Sequence, residues 1–179
     1  MAGPSARYDR IAAAIHWLTA ALVVLIIGLA LFGEPVGDWL GFSAIGLHKS
    51  LGMTVFALTL ARILWRVTHR APPLPARTPR WQRASAHGVH GFIYALLLGL
   101  PVSGYIFGSG GPYPMRWFGI DIPKAPIAKP VADLVHSLHE IGGFAMIGLL
   151  VAHVGAACWH QWVQRDGLIL RMSLAREDR

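Results

Sequence analysis

The chain is short of the residues that hold a soluble protein in water. Only 14% of its 179 residues are charged and just 9 are acidic, where about a quarter charged is usual for a soluble domain. It has a single cysteine, Cys158, so an internal disulfide is excluded. Carboxylates are nearly absent from the long apolar stretches, which argues against a proton pump built on intramembrane acids. Internal repeats and low-complexity tracts are also missing. What remains is 54% hydrophobic with a mean hydropathy of +0.48, and it includes seven tryptophans. Such rings suit a protein with two water interfaces to anchor.

By length, residues 1–179 read as one domain. Four apolar runs, about 11–32, 47–67, 84–107 and 131–164, are each long enough to cross a bilayer, which takes about 20 residues. The expected fold is an all-α membrane protein, a four-transmembrane-helix bundle. The first run follows Arg7 and Arg10 and carries no Lys, Arg, Asp or Glu. It is too long for a signal-peptide core and lacks a convincing cleavage site, so it reads as a retained span. Gly33-Glu34-Pro35 and Gly37-Asp38 are expected to break it, leaving 33–46 as a loop. The prolines from Pro72 to Pro79 predict an extended linker, and Pro101, between Gly99 and Gly104, predicts a kink. The stretch 113–130 is rich in proline yet apolar, with Trp117, Phe118 and Ile120, and is expected to lie back on the membrane surface. The fourth run exceeds what the bilayer requires, so one end should project.

The net charge of +7 and pI near 10.3 would suggest nucleic acid in a soluble protein. Here 12 of the 16 basic residues fall on one side of the four spans. They precede the first run, occupy the end of the second and its link to the third, and follow the fourth. The other side has Lys49, Arg116, Lys124 and Lys129. Basic residues concentrate in cytoplasmic loops, which places both termini in the cytoplasm.

That orientation gives each histidine a depth. His139 and His153 are 14 residues apart, about 21 Å along a helix and nearly four full turns, so both rings leave one face. His16 enters from the cytoplasmic side and His48 begins the descent from the outer side. Two pairs of matched depth result, His16 with His153 and His48 with His139, each joining different helices. A lone intramembrane histidine is more often a packing or proton-relay residue, and zinc or a proton path also remains open. Two levelled pairs fit a larger group, because two axial imidazoles on one iron make a low-spin haem. Small residues near the four positions, including Gly46, Ser50, Gly52, Gly142, Gly143 and Gly155, would let a porphyrin approach, although small residues also serve plain helix contacts. Covalent c-type attachment is excluded, since there is no Cys-x-x-Cys-His. Met53 and Met146 read as core.

Several stretches together carry a family resemblance. They are Arg7-Tyr8 with Ala14-Ile15-His16-Trp17-Leu18, Leu47-His48-Lys49-Ser50-Leu51-Gly52, Arg62-Ile63-Leu64-Trp65-Arg66, Ala86-His87-Gly88-Val89-His90, Pro101-Val102-Ser103-Gly104-Tyr105, Leu138-His139-Glu140 and Asp166-Gly167-Leu168 with Leu170-Arg171-Met172. Over nearly its whole length the chain resembles the bacterial di-haem cytochrome b561 family of four-helix inner-membrane proteins. The resemblance implies two b haems, with His16 and His153 holding the cytoplasmic-side haem and His48 and His139 the periplasmic-side one. It implies electron shuttling between membrane quinone, such as ubiquinone, and a periplasmic partner protein. At least one member oxidises superoxide at the periplasmic face and reduces ubiquinone. On this reading Lys49 and Arg62 pair with haem propionates, although snorkelling alone would explain Arg62. His87, His90 and His160 are candidate quinone contacts, His136 is a surface residue and His69 lies in a loop. The outer side has four basic residues against five acidic, so no global attraction of an anion follows, although Lys49 and a folded-back Arg116 would make a local funnel. A haem-free membrane interaction protein is the remaining alternative.

Overall fold

The computed structural model describes residues 7–73 and 78–174. The first six residues, the linker segment Leu74–Arg77 and the tail from residue 175 lie outside the described residues, and with them the central part of the expected linker. The elements are α1 (Arg10–Leu40), α2 (Ala44–Thr68), α3 (Arg80–Gly110), strands β1 (Met115–Trp117) and β2 (Ile120–Ile122), and α4 (Lys129–Trp159). A single π-helical turn, His160–Gln164, extends α4, and a 3-10 turn, Ile169–Met172, follows. All four α-helices are long and apolar enough to cross a membrane. Their outward faces carry Val24, Leu64, Phe92, Phe144 and Val151, all exposed, as suits contact with lipid rather than water.

The first helix corrects the sequence reading. Gly33-Glu34-Pro35 does not end it; α1 continues to Leu40 with Pro35 inside, and the expected loop shrinks to Gly41–Ser43. The reason is packing. A Cβ on Gly33 would stand 2.9 Å from Ala44 Cβ, and one on Gly37 would stand 2.7 Å from the Phe42 carbonyl oxygen. These glycines let the start of α2 press against α1, a contact that outweighs their weak helix propensity. The stop is Gly41, left-handed at φ 71°, whose N–H donates to the Gly37 carbonyl.

Residues 113–130 hold a hairpin that the sequence reading missed. Its turn is Phe118-Gly119, both at positive φ, 47° and 88°, which is the twist a two-residue hairpin loop demands. The hairpin is tied to α2: Phe118 N–H donates to Ser50 Oγ at 3.0 Å and the Trp117 indole to Thr54 Oγ1 at 3.1 Å. Met115 is buried against Gly108 of α3, where any side chain would collide with its sulfur.

In the bundle α1 packs along α2, α3 along α4, and α2 against α3. Neither α1 nor α2 closes extensively on α4. The centre is a small apolar cluster with one buried residue from each helix, Val23, Val55, Leu97 and Met146. Met146 lies midway between His139 and His153 in the chain, so this cluster divides the bundle into two storeys, labelled outer (His48, His139) and inner (His16, His153) after the expected orientation.

Candidate functional site

Along α4, His139, Met146 and His153 recur every seven residues, and His160 follows at the same interval in the π-helical turn. Seven steps of about 100° return nearly to the starting direction. One face of the helix thus offers imidazole, thioether and imidazole at successive depths.

In the outer storey the His48 and His139 ring centroids are 6.3 Å apart with planes at 65°. Each ring is anchored through Nδ1. His48 Nδ1 lies 3.1 Å from the Ile26 carbonyl oxygen of α1. A carbonyl only accepts, so Nδ1 carries the proton and Nε2 keeps its lone pair. His139 Nδ1 lies 2.9 Å from Ser103 Oγ, whose own proton goes to the Leu100 carbonyl at 2.8 Å. Ser103 therefore accepts from His139, and again Nε2 is left basic. Gly104 makes room here: a Cβ on it would stand 3.4 Å from His139 Cε1. Lys49 follows His48, and its charged neighbour is Lys124.

The inner storey repeats the spacing with different supports. His16 and His153 have centroids 6.3 Å apart and planes at 70°. The His90 ring of α3 is 5.2 Å from that of His153. Arg62 donates from Nε to Tyr94 Oη at 2.7 Å and from Nη1 to the Ala12 carbonyl at 3.3 Å. Both partners are neutral, and among the described residues no carboxylate forms an ion pair with Arg62. Trp17 meets His16 edge-on at 5.3 Å, and its indole N–H donates to the Met172 carbonyl at 2.8 Å.

The remaining histidines scatter. His87 is exposed with Nδ1 2.7 Å from the Arg83 carbonyl oxygen, and His160 Nδ1 lies 2.5 Å from Asp166 Oδ2. His136 packs on Phe107 at 4.8 Å, and His69 stacks on Trp65 at 3.8 Å. Arg116 pairs with Asp121 at 2.8 Å on the hairpin. Sequence reasoning missed the anchors, the Ile26 carbonyl and Ser103, because neither residue type signals a contact with a ring 22 or 36 positions away.

The family model for prokaryotic cytochrome b561 matches residues 7–173. The chain belongs to that family. Cytochrome b561 homolog 2 of Escherichia coli K12 is 33% identical over 171 residues, covering 93% of this chain and 90% of the relative. Cytochrome b561 homolog 1 of the same organism is 26% identical over 178 residues, covering 96% and 99%. A probable superoxide oxidase, CybB of Yersinia pestis, is 28% identical over 174 residues, covering 93% and 95%. Membership makes this a multi-pass membrane cytochrome of electron transfer and implies b-type haem.

Proposed function

We propose that this cytochrome carries electrons through two bis-histidine b haems, exchanging them between membrane quinone and a periplasmic donor or acceptor. The observation that carries the reading is the equal 6.3 Å centroid separation in both storeys. With metal–imidazole bonds of about 2.0 Å and about 1.1 Å from ring nitrogen to centroid, two imidazoles sharing one metal stand roughly 6 Å apart. The donor set fits as well. Both outer rings keep Nδ1 protonated, which leaves Nε2 for the metal and orients the ring. The histidine-bearing faces of α1 and α2 meet α4 where the backbones do not close on one another, as a flat group between them requires. His16 and His153, and His48 and His139, would each hold one haem iron, and that group would supply one-electron transfer.

The other residues hold charge and exclude water. Arg62, a cation in a span with only neutral partners, suits an acidic side group of the inner haem, and Lys49 serves the outer one. Val23, Val55, Leu97 and Met146 keep water out of the region between the storeys. Ubiquinone exchange belongs on the inner side, near His90 and the His160–Asp166 pair, with His87 further out. The distribution of arginine supports an inner-membrane protein with both termini cytoplasmic. Residues 1–179 act as a single four-helix cytochrome domain.

A second reading, superoxide:ubiquinone oxidoreductase acting at the periplasmic face, draws on the relative named a probable superoxide oxidase and on Lys49 beside His48. Arg116 and Lys129 are neutralised by Asp121 and Asp133, each at 2.8 Å. Lys49 and Lys124 take part in no carboxylate pair among the described residues, so they are the outer charges available to attract an anion.

A reduced-minus-oxidised spectrum with redox titration of the purified protein tests the proposal. Two b-type components are expected, and absence of any α-band returns the protein to a haem-free interaction role. Rapid mixing with superoxide separates the two haem readings. Reduction no faster than that of an unrelated b-type cytochrome removes the oxidase.

A further inference from the structure

The C-terminal turn returns to α1 at the level of the inner histidines. After α4 the chain reverses through the π-helical turn and Asp166. The Asp166 carboxylate receives the Leu168 N–H at 3.1 Å, and its other oxygen lies 2.5 Å from His160 Nδ1. The 3-10 turn then lays three groups on the rest of the protein. The Arg171 carbonyl accepts from Tyr8 N–H at 3.0 Å. The Arg171 guanidinium, which is buried, donates to the Pro73 carbonyl at 2.9 Å and lies 6.0 Å from the Tyr8 ring. The Met172 carbonyl accepts from the Trp17 indole, and Trp17 rests edge-on against His16.

These contacts bridge two helices that do not otherwise close on each other. His153 projects from α4 and His16 from α1, and their separation depends on what ties α4's end to α1. Among the described residues, no ring nitrogen of His16 or His153 makes a hydrogen bond of the kind that fixes His48 and His139. We propose that the turn Leu168–Ser173 is a clasp that positions His16 through Trp17, with Arg171 as its fastening, and so sets the geometry and retention of the inner haem. This rests on the two-haem reading. Trp17 and Arg171 touch no reacting group; they act as positioning residues.

The test uses the full-length holoprotein in detergent with Trp17→Phe, Arg171→Ala and Arg171→Lys. Phe keeps an aromatic side chain on α1 but lacks the N–H. Two readouts are taken: the rate at which each haem passes to apomyoglobin, and the low-spin electron paramagnetic resonance signal of each haem. His16→Ala and His48→Ala assign the signals. Trp17→Phe and Arg171→Ala are expected to speed loss of the inner haem several-fold and shift its signal. The outer haem should be unchanged, and Arg171→Lys should return most of the parent behaviour. If Arg171→Ala is not recovered folded, Trp17→Phe decides. Both haems indifferent to Trp17→Phe, or both altered alike, overturns the clasp while leaving the electron-transfer reading intact. A parent protein that takes up no haem overturns that reading and the clasp with it.

Discussion

The outer histidines are gripped by their own rings, whereas the inner ones are placed by contacts at the end of the bundle. His48 and His139 each have Nδ1 held, one by the Ile26 carbonyl and one by Ser103. A hairpin bound to Ser50 and Thr54 covers that end of α2. The inner pair shows the same 6.3 Å spacing, but its nearest supports are a third imidazole, an arginine–tyrosine pair and a tryptophan fastened to the C-terminal turn. On the proposed two-haem reading, the same metal chemistry is preorganised in two ways, by orienting each ligand directly or by fixing the helices that carry the ligands. The first resists distant change. The second makes the inner site responsive to the surface at its own end of the bundle, where quinone exchange is proposed to take place.

Removing ligands gives the largest effect and tests whether the two storeys are independent. His48→Ala and His139→Ala should each leave one haem per chain with the inner spectrum. His16→Ala and His153→Ala should each leave one haem with the outer spectrum. A pyridine haemochrome count on the four variants checks this. Loss of both haems from every variant would mean that the two sites fold as one unit and that the division at Met146 has no functional meaning.

The next effect separates the two kinds of support. Ser103→Ala removes the acceptor for His139 Nδ1, and loss of such a partner typically costs about 10–100-fold in metal affinity. The outer haem should be lost that much faster to a haem acceptor, with the inner haem unaffected. Equal loosening of both would show that Ser103 supports α3 rather than the ring.

Much of this was legible in the sequence, for particular reasons. The heptad spacing of His139, Met146, His153 and His160 is a property of helical rotation alone, so depth and facing follow from counting. Four apolar runs and one-sided arginine gave the four-helix membrane fold and its expected orientation. The end of α1 was misjudged because Gly33-Glu34-Pro35 looks like a break when propensity is read locally. The glycines instead serve an interhelical contact with Ala44, which local sequence does not display. The hairpin was hidden by the prolines around it, although Phe118-Gly119 between Met-Arg-Trp and Ile-Asp-Ile carried a faint turn signal. Ser103 and the C-terminal clasp were invisible for a different cause. A serine hydroxyl or a main-chain carbonyl becomes a ligand support only once distant helices meet.

Charge offers a smaller probe of the comparison. Arg62 stands by the inner pair and Lys49 by the outer one, and a nearby cation favours the reduced, less positive iron. Arg62→Met should lower the inner midpoint potential and Lys49→Met the outer one. A unit charge roughly 10 Å away at an effective dielectric constant near 20 corresponds to about 1–2 kcal/mol, or roughly 40–90 mV for a one-electron couple. Separate redox titration of the two haems reads this. A shift of the wrong haem would reassign the cations between storeys.

The smallest effect lies at Asp9, at the inner end of the bundle. Its carboxylate caps α1, accepting the Ala12 N–H at 2.9 Å, and also accepts the Trp65 indole N–H at 3.0 Å, so it ties the helix bearing His16 to α2. Partial burial acts to raise its pKa, but these hydrogen bonds, with His69 nearby, hold the group below the usual carboxylate value. A depressed folded pKa means that the stabilisation is complete above the ordinary carboxylate value, about 3.9, and is lost as pH falls through the lower folded value. Asp9→Ala should cost about 0.5–2 kcal/mol, the usual loss for an N-cap, read at neutral pH as earlier thermal loss of the inner haem. Asp9→Asn keeps the cap without the titration. It should be somewhat less stable than the parent near pH 7, where the charged carboxylate is favoured, and lack the parent's extra weakening below about pH 4. If Asp9→Ala releases the outer haem as readily as the inner, the two ends of the bundle are coupled more tightly than the separate supports imply.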